Sequence, residues 1–514
     1  MNLTKNVMVI NLGLKSIRCI IFDQNGMKLG SAAIAVHTAV NDTYVEQDVT
    51  QWTNNAIKVM QTALKESRVS RIDFITVTTS ASCLVCIDEN GNPLCRALMV
   101  SDKRAKREVN EINAMPEFQS VRDKTGLDMS VSLMLPKILW IKNNRPEVFE
   151  KTAFFLSPND FLINFLSGKV VTDELNALKY HYILSQQSYP EALLKQLGIP
   201  LTKLPKVDIV GSKVGTIRKE IAEAVNINND IQVIISSYDA ICSFIGSGVS
   251  DEGEASDVSG TVTVLRTISR KNNLKSSKRV YITPFRNNEF QIVGGSNNLG
   301  GGLIEWVKQC YYQREEFPYE VMEKDARESE VGAKGLIFLP YLLGERTPIW
   351  NDEARGVFFG LERMHTRIDM TRAVFESTGF IDLDISEAIR ETGAEVNSVR
   401  LSGGLARVQL ISQIKADILG MDVMVLSEFE TTASGAAMIA LSGESGVYSN
   451  LKEAADKFAA IRMIIKPDIE NHKKYKYMYE LYRETYEAMK PIYSRRMEVL
   501  AQIRKERDIQ IENL

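Results

Sequence analysis

Charges of both signs crowd against aromatics in the segment GLIFLPYLLGERTPIWNDEARGVFFGL, residues 335–361. An apolar run from Leu336 to Leu339 stops at Pro340 and gives way to Glu345, Arg346, Asp352, Glu353 and Arg355, with Trp350 and Phe358 nearby. Surface loops are mostly small and polar, so this mixture reads either as an ion-paired structural loop or as a site. Three glycine turns offer a second chemistry. Asn11–Arg18, Ser259–Thr261 and Ser402–Gly404 each set Gly beside polar groups, where backbone N–H groups can reach anionic oxygen with no Cβ in the way. Taken singly, each is an ordinary turn. Asp239 follows the apolar run Ile231–Ile235, and open α/β sheets place their sites just past strand ends. The same residue would serve equally as the cap of a helix beginning at Ala240. Asp102 and Arg104 read as an exposed ion pair at a helix start.

The elements that must hold these residues read as α/β. Val7–Ile10 is a strand, Asn11-Leu12-Gly13-Leu14-Lys15 a turn, and Ile17–Phe22 a second strand. Asn25-Gly26 is a hairpin signal, followed by a third strand over Lys28–Val36. Asp48–Lys65 has helical spacing, with a cap at Asp48 or Thr50. A similar opening recurs halfway along: strands Glu254–Val258 and Val262–Ile268 flank Ser259-Gly260-Thr261. Later, Val399–Leu401 leads through a glycine pair into a helix over Val408–Leu419. This is a coarse internal duplication. The best boundary is the Gly/Ser/Asp-rich stretch Gly246–Gly253. The expected organisation is therefore 1–247, 248–455 and a helical tail over 456–514, with helix from Asn471 to Asn513.

At 514 residues, two or three domains are expected. A net charge of −3, 44% hydrophobic and 25% charged residues describe an ordinary globular protein and argue against a nucleic-acid partner. No apolar run is long enough for a membrane span, and strand pattern begins at once, so a signal peptide is not expected. The cytoplasm is the expected location. Cys83 and Cys86 form a CxxC, but on a strand Cys83–Ile87 they would face opposite ways and could not share a metal.

The 335–361 segment resembles the G-L-x-F-L-P-Y-L-x-G-E-R-T-P-x-W signature of the FGGY family of carbohydrate kinases. Thr261 resembles its S-x-G-T element, Gly403-Gly404 its S-G-G-G element, and Glu430–Ala437 its E-x-x-A-x-G-A-A helix start. Ser236-Ser237-Tyr238-Asp239 stands where the family has G-G-x-D, Asp102 and Arg104 where it has W-x-D-x-R, and Thr172-Asp173 with Asn176-Ala177 where it has T-D-x-S-N-A. The resemblance implies two actin-like, ribonuclease-H-like domains with an active-site cleft between them. It implies an ATP-dependent kinase acting on a small sugar, most readily a pentulose such as xylulose, with Mg²⁺ as cofactor. Another ketose, a polyol or a signalling sugar is the alternative substrate, and a degenerate sugar-binding sensor the alternative role. An actin-like ATPase or assembly protein is a third reading.

By the same resemblance Asp239 is the catalytic base. Asn11, Gly13, Lys15, Ser16, Arg18, Gly260, Thr261, Gly403, Gly404 and Ala406 hold ATP. Ser82, Asp102, Arg104 and Asp239 contact sugar, and Asn11 with Asp239 faces the metal. No nucleic-acid or membrane partner is implied, and a homodimer is left open. The chain departs from the pattern at the first hairpin, where D-x-G-T has become Asn11-Leu12-Gly13-Leu14. It departs again at Val100 in place of Trp and at Ser236-Ser237 in place of Gly-Gly, and Ala81-Ser82-Cys83 stands where pentulokinases of the xylulokinase type have M-H-G.

Overall fold

Val7, Met8, Val9 and Ile10 have no exposed surface, the mark of a strand covered on both faces. They form the centre of β1 (Asn6–Leu12), which pairs antiparallel with β2 (Ser16–Asp23), itself antiparallel to β3 (Lys28–Ala35). On its other side β1 runs parallel to β4 (Phe74–Thr79). After β5 (Val85–Ile87) and β6 (Lys213–Thr216), β7 (Gln232–Ile235) completes a six-stranded sheet of order β6-β7-β4-β1-β2-β3. Helix α1 (Val49–Ser67) packs on β2 and β3 through Trp52, Ala56, Val59 and Met60. Its start is capped by Asp48, whose Oδ1 accepts from the Thr50 N–H at 3.0 Å. Helix α2 (Met134–Asn144) builds a second core, and α3 (Asp239–Gly246) begins just past β7. The computed structural model describes residues 4–428 and 430–512, with side chains described to 506. The outermost residues of the expected 1–247 and 456–514 segments, Asn513 included, lie outside that range.

The second sheet repeats the plan. β8 (Gly253–Ser259) pairs antiparallel with β9 (Thr263–Ser269); β10 (Tyr281–Phe285) and β11 (Phe290–Ser296) follow, then β12 (Val396–Ser402), β13 (Asp422–Leu426) and β14 (Ile461–Ile465). The order is β10-β11-β9-β8-β12-β13-β14, with β8, β12 and β13 parallel. Apart from the extra edge strand β10, both sheets place an antiparallel meander beside parallel strands in one and the same order, that of a ribonuclease-H-like domain. Helices α4 (Gly301–Tyr311), α5 (Arg367–Glu391) and α6 (Gln409–Leu419) belong to this second layer system.

The chain divides into two compact units, Met1–Gly248 with Phe285–Asn287 and Glu430–Ala459, and Val249–Pro284 with Asn288–Phe429 and Ala460–Leu514. A single segment over 248–455 is therefore not what the packing shows. Helix α7 (Thr431–Ser442) packs on α3 in unit 1. The last 60 or so residues are not a plain helical tail either: β14 joins the unit 2 sheet before α8 (Ile469–Glu512) begins. Helix α8 lays Tyr475, Tyr479, Tyr482, Tyr486 and Tyr493 along one stripe of the unit 2 core, the spacing of a one-sided helix.

The two cysteines of the CxxC part company as expected. Strand β5 is shorter than Cys83–Ile87, yet Cys83 packs in the core against the sheet and Cys86 in the core built by α2. All six cysteines are free thiols. Among the described residues no cluster of His, Cys, Asp and Glu is arranged to hold a metal, and no helix is long and apolar enough to cross a membrane.

Candidate active site

Parallel pairing sends the carboxyl ends of β1, β4 and β7 to one edge of the unit 1 sheet, the edge where such sheets carry sites. Two candidates, Asn11 and Asp239, lie there. Asn11 lies opposite Thr78 of β4, and the Ser80 N–H donates to the Leu12 carbonyl at 3.2 Å. The Ser80 hydroxyl donates to Asp239 Oδ2 at 3.3 Å. Asp239 is the first residue of α3, one position beyond the cap at Tyr238, so the helix starts one residue earlier than the sequence suggests. Its Oδ1 accepts from the Ala240 N–H at 2.7 Å, and the carboxyl group is half-buried.

Two residues upstream, the loop is pinned. Ser237 Oγ donates to Asp173 Oδ1 at 2.9 Å. Asp173 also caps the short helix Glu174–Ala177 and accepts from Asn176 Nδ2 at 2.6 Å. Burial raises the Asp173 carboxyl above its ordinary value, against the pull of these donors. Of the two serines that replace Gly-Gly before Asp239, Ser237 thus ties its loop to the Thr172–Ala177 element, while the Ser236 hydroxyl donates to the Val77 carbonyl of β4 at 2.5 Å.

The first hairpin turn is tighter than Asn11–Lys15. Asn11 and Leu12 are strand residues, paired with Arg18 and Ile17, and the turn closes with the Gly13 N–H donating to Ser16 O at 2.9 Å. Leu14 and Lys15 project at its tip, while Arg18 Nε donates to Ser16 Oγ and Nη1 pairs with Glu430 at the start of α7.

Asp102 and Arg104 are not an exposed pair. Arg104 Nε and Nη2 donate to Asp102 at 2.7–3.0 Å, and Nη2 also reaches Glu46 at 2.7 Å. The guanidinium lies over the Tyr44 ring, 3.9 Å from its centre. Its Nη1 is buried without a hydrogen-bond partner, an arrangement that leaves a donor for a ligand oxygen.

Lys137, absent from the sequence-based candidates, belongs to this neighbourhood. It is buried on α2 and donates to the Ser82 carbonyl, with Cys83, Asp102 and Arg104 close enough to act on its charge. Burial pulls its ammonium down to about 8. The available signal was a lone lysine inside the apolar run Met134-Leu135-Pro136-Lys137-Ile138-Leu139-Trp140. Ser82 itself holds a left-handed backbone, φ 61°.

The unit 2 candidates form a knot of glycine backbones. The Gly301 N–H donates to Gly260 O at 2.7 Å, and the Gly300 N–H to Thr261 O at 2.8 Å. Gly403 has φ 85°, and a Cβ there would meet the Ser259 carbonyl oxygen at 2.5 Å, so only glycine fits. Gly404 to Arg407 follow as a single tight turn with Ala406 buried. The run Gly300-Gly301-Gly302 at the start of α4 is a second omission from the sequence reading, although three consecutive glycines before a helix are visible in it.

The 335–361 segment serves this knot as a clamp. The Asn298 and Arg346 N–H groups donate to Glu345 Oε1 at 2.7 and 2.8 Å, and Arg346 Nε to Asn298 Oδ1 at 2.7 Å. Asn297 Oδ1 then accepts from the Thr263 N–H at 2.7 Å, which links the clamp to the β8–β9 turn. Burial pushes the Glu345 carboxyl up to about 7.

Comparison with known proteins agrees with this geometry. Residues 6–246 match the N-terminal domain, and residues 255–443 the C-terminal domain, of the FGGY family of carbohydrate kinases. A xylulose kinase of Staphylococcus xylosus is 27% identical over 484 residues, spanning 94% of this chain and 99% of that protein. A gluconokinase of Bacillus subtilis is 26% identical over 450 residues, spanning 85% and 88%. The crystal structure of gluconate kinase from Lactobacillus acidophilus superposes with a TM-score of 0.87 at 25% identity, covering 96% of this chain and 99% of that one. With both family domains matched in order across paired ribonuclease-H-like units, the chain belongs to the FGGY family of carbohydrate kinases and is a sugar phosphotransferase.

Proposed function

We propose that the protein transfers the γ-phosphoryl group of ATP to a hydroxyl of a pentulose such as xylulose. Among its relatives the xylulose kinases support this substrate, and gluconate is the nearest competitor because gluconokinases stand close behind. The observation that carries the reading is Asp239, a half-buried carboxylate past the end of β7, held by Ser80 and by a loop anchored through Ser237 to Asp173.

Asp239 accepts the proton of the sugar hydroxyl. The hydroxyl oxygen then forms its bond to phosphorus as the bond from phosphorus to the leaving ADP oxygen breaks. Asp102 and Arg104 bind sugar oxygens, with Arg104 Nη1 as the unspent donor, and Ser82 borders them. The turns carrying Gly13, Lys15, Ser16 and Arg18, and in unit 2 Gly260, Thr261, Gly403, Gly404 and Ala406, hold the nucleotide. Mg²⁺, when bound, neutralises charge on the phosphates. Asn11 and Asp239 fit it as a sparse protein contribution, since magnesium keeps several waters and takes few side-chain ligands.

A coupled ADP-release assay across ketoses, aldonates and polyols tests the reading. The highest kcat/KM should fall on a pentulose. Preference for gluconate would remove the pentulose assignment and keep the kinase, whereas silence across the whole panel would remove both.

A further inference from the structure

Lys415 of α6 is buried between two carboxylates in unit 2, all three side chains no more than 1% exposed. Its ammonium pairs with Asp257 on β8, donates to Asp382 Oδ2 on α5 at 2.6 Å, and reaches Ser259 Oγ at 3.0 Å. Ser259 Oγ donates to Asp257 Oδ1 at 2.6 Å and lies 3.0 Å from Thr263 Oγ1. One ammonium therefore gathers the end of β8, the start of β9 and two helices around the root of the Ser259–Thr261 turn. Thr261, two residues on, is exposed at the tip.

Stability is a poor explanation for such a cluster. Well-packed apolar side chains of similar volume commonly serve as well or better, because desolvation offsets the attraction. What apolar packing does not supply is direction. Burial alone would lower the Lys415 ammonium, but Asp257 and Asp382 outweigh it and hold it above the ordinary lysine value. Burial and then the Asp257 carboxylate push Asp382 well above the usual range.

We infer that Lys415 is a positioning residue for nucleotide phosphate, holding the Ser259–Thr261 turn through Ser259 and Asp257 so that Thr261 and Gly260 are presented in one fixed geometry. The inference rests on the proposal that this turn contacts ATP. Nothing in it depends on which sugar is phosphorylated.

The test compares wild type, Lys415→Met, Ser259→Ala and Asp382→Asn for KM of ATP, KM of the best sugar, ADP affinity by calorimetry, and Tm. Lys415→Met and Ser259→Ala should each raise the KM for ATP and the Kd for ADP about tenfold, with the sugar KM within about twofold. Asp382→Asn should lower Tm and leave the ATP KM unchanged, since the arms to the turn remain. If Lys415→Met does not fold, Ser259→Ala, a small buried change, decides alone. Lower Tm with unchanged ATP KM and ADP Kd in both turn-directed variants would overturn the positioning role while wild-type turnover left the kinase reading standing. A wild type that binds no ADP would take down the nucleotide role of the turn and this inference with it.

Discussion

A Cβ placed on Gly435 would lie 1.7 Å from the Cys242 carbonyl oxygen, and one on Gly246 would lie 1.9 Å from the Thr431 carbonyl oxygen. Helices α7 and α3 thus cross backbone against backbone at a pair of glycines. Thr431 Oγ1 adds a bond to the Ser243 carbonyl at 2.9 Å. Since α3 begins with Asp239, the helix that follows Glu430 sets the direction from which the candidate base projects. The family-like A-S-G-A-A run is, in this geometry, first a packing surface.

Gly435→Ala should therefore destabilise the protein by about 3 kcal/mol, because neither backbone can yield without shifting a whole helix. Urea unfolding measures the loss. Turnover should fall as well, through displacement of Asp239. Unchanged stability would mean that the helices slide apart freely.

Asp239→Asn keeps the shape of the side chain and its acceptor for the Ala240 N–H while removing the proton acceptor. The kcat should drop by about 10²–10⁴ with sugar and ATP binding nearly intact. A purely structural Asp239 would instead show a stability loss of about 1 kcal/mol with turnover kept.

Asn11 offers an oxygen without a charge beside the β1–β2 turn, so the enzyme should require more Mg²⁺ than a relative with Asp there. Asn11→Asp should lower the Mg²⁺ concentration for half-maximal activity by about threefold to tenfold and leave Tm unchanged. Titrating activity against Mg²⁺ in the two proteins checks this. Identical curves would separate the first hairpin from metal binding.

His181 is fully buried, edge-on to Phe118 with ring centres 5.4 Å apart, and burial pulls its imidazole down from 6.5 to about 4. Between those values the unfolded chain binds the proton and the folded one does not. Its contribution to stability is complete above pH 6.5 and is lost as pH falls toward 4, by about 2 kcal/mol between pH 7 and pH 5. His181→Asn tolerates the left-handed backbone at this position, φ 58°. The difference in unfolding free energy between the two pH values should shrink by that amount in the variant.

Runs of β-branched residues between turn signals made the two hairpin openings, and hence the duplicated sheet plan, legible in the sequence. The Asp48 cap was legible for the same local reason. The tight closure of the first hairpin was not, because Asn11 and Leu12 become strand residues only through their partners Arg18 and Ile17. Lys137 looked like one more charge on a helix until its burial against Ser82 was seen. Arg104 presented as a surface ion pair because nothing local announces Tyr44 stacking on it from another part of the chain. Glu430–Ala459 falls in unit 1, where α7 crosses α3 and packs on it and on β1 and β4, and such long-range fit leaves no periodic trace.

That crossing has a consequence for how the polypeptide can be divided. The first family domain ends at residue 246, yet the partner surface for α3 lies beyond most of unit 2 in the chain. A fragment stopped at Gly248 would carry every sugar-side candidate and still lack the helix that seats the base. During synthesis the first unit stays unfinished until Val249–Pro284 and Asn288–Phe429 of the second have been made.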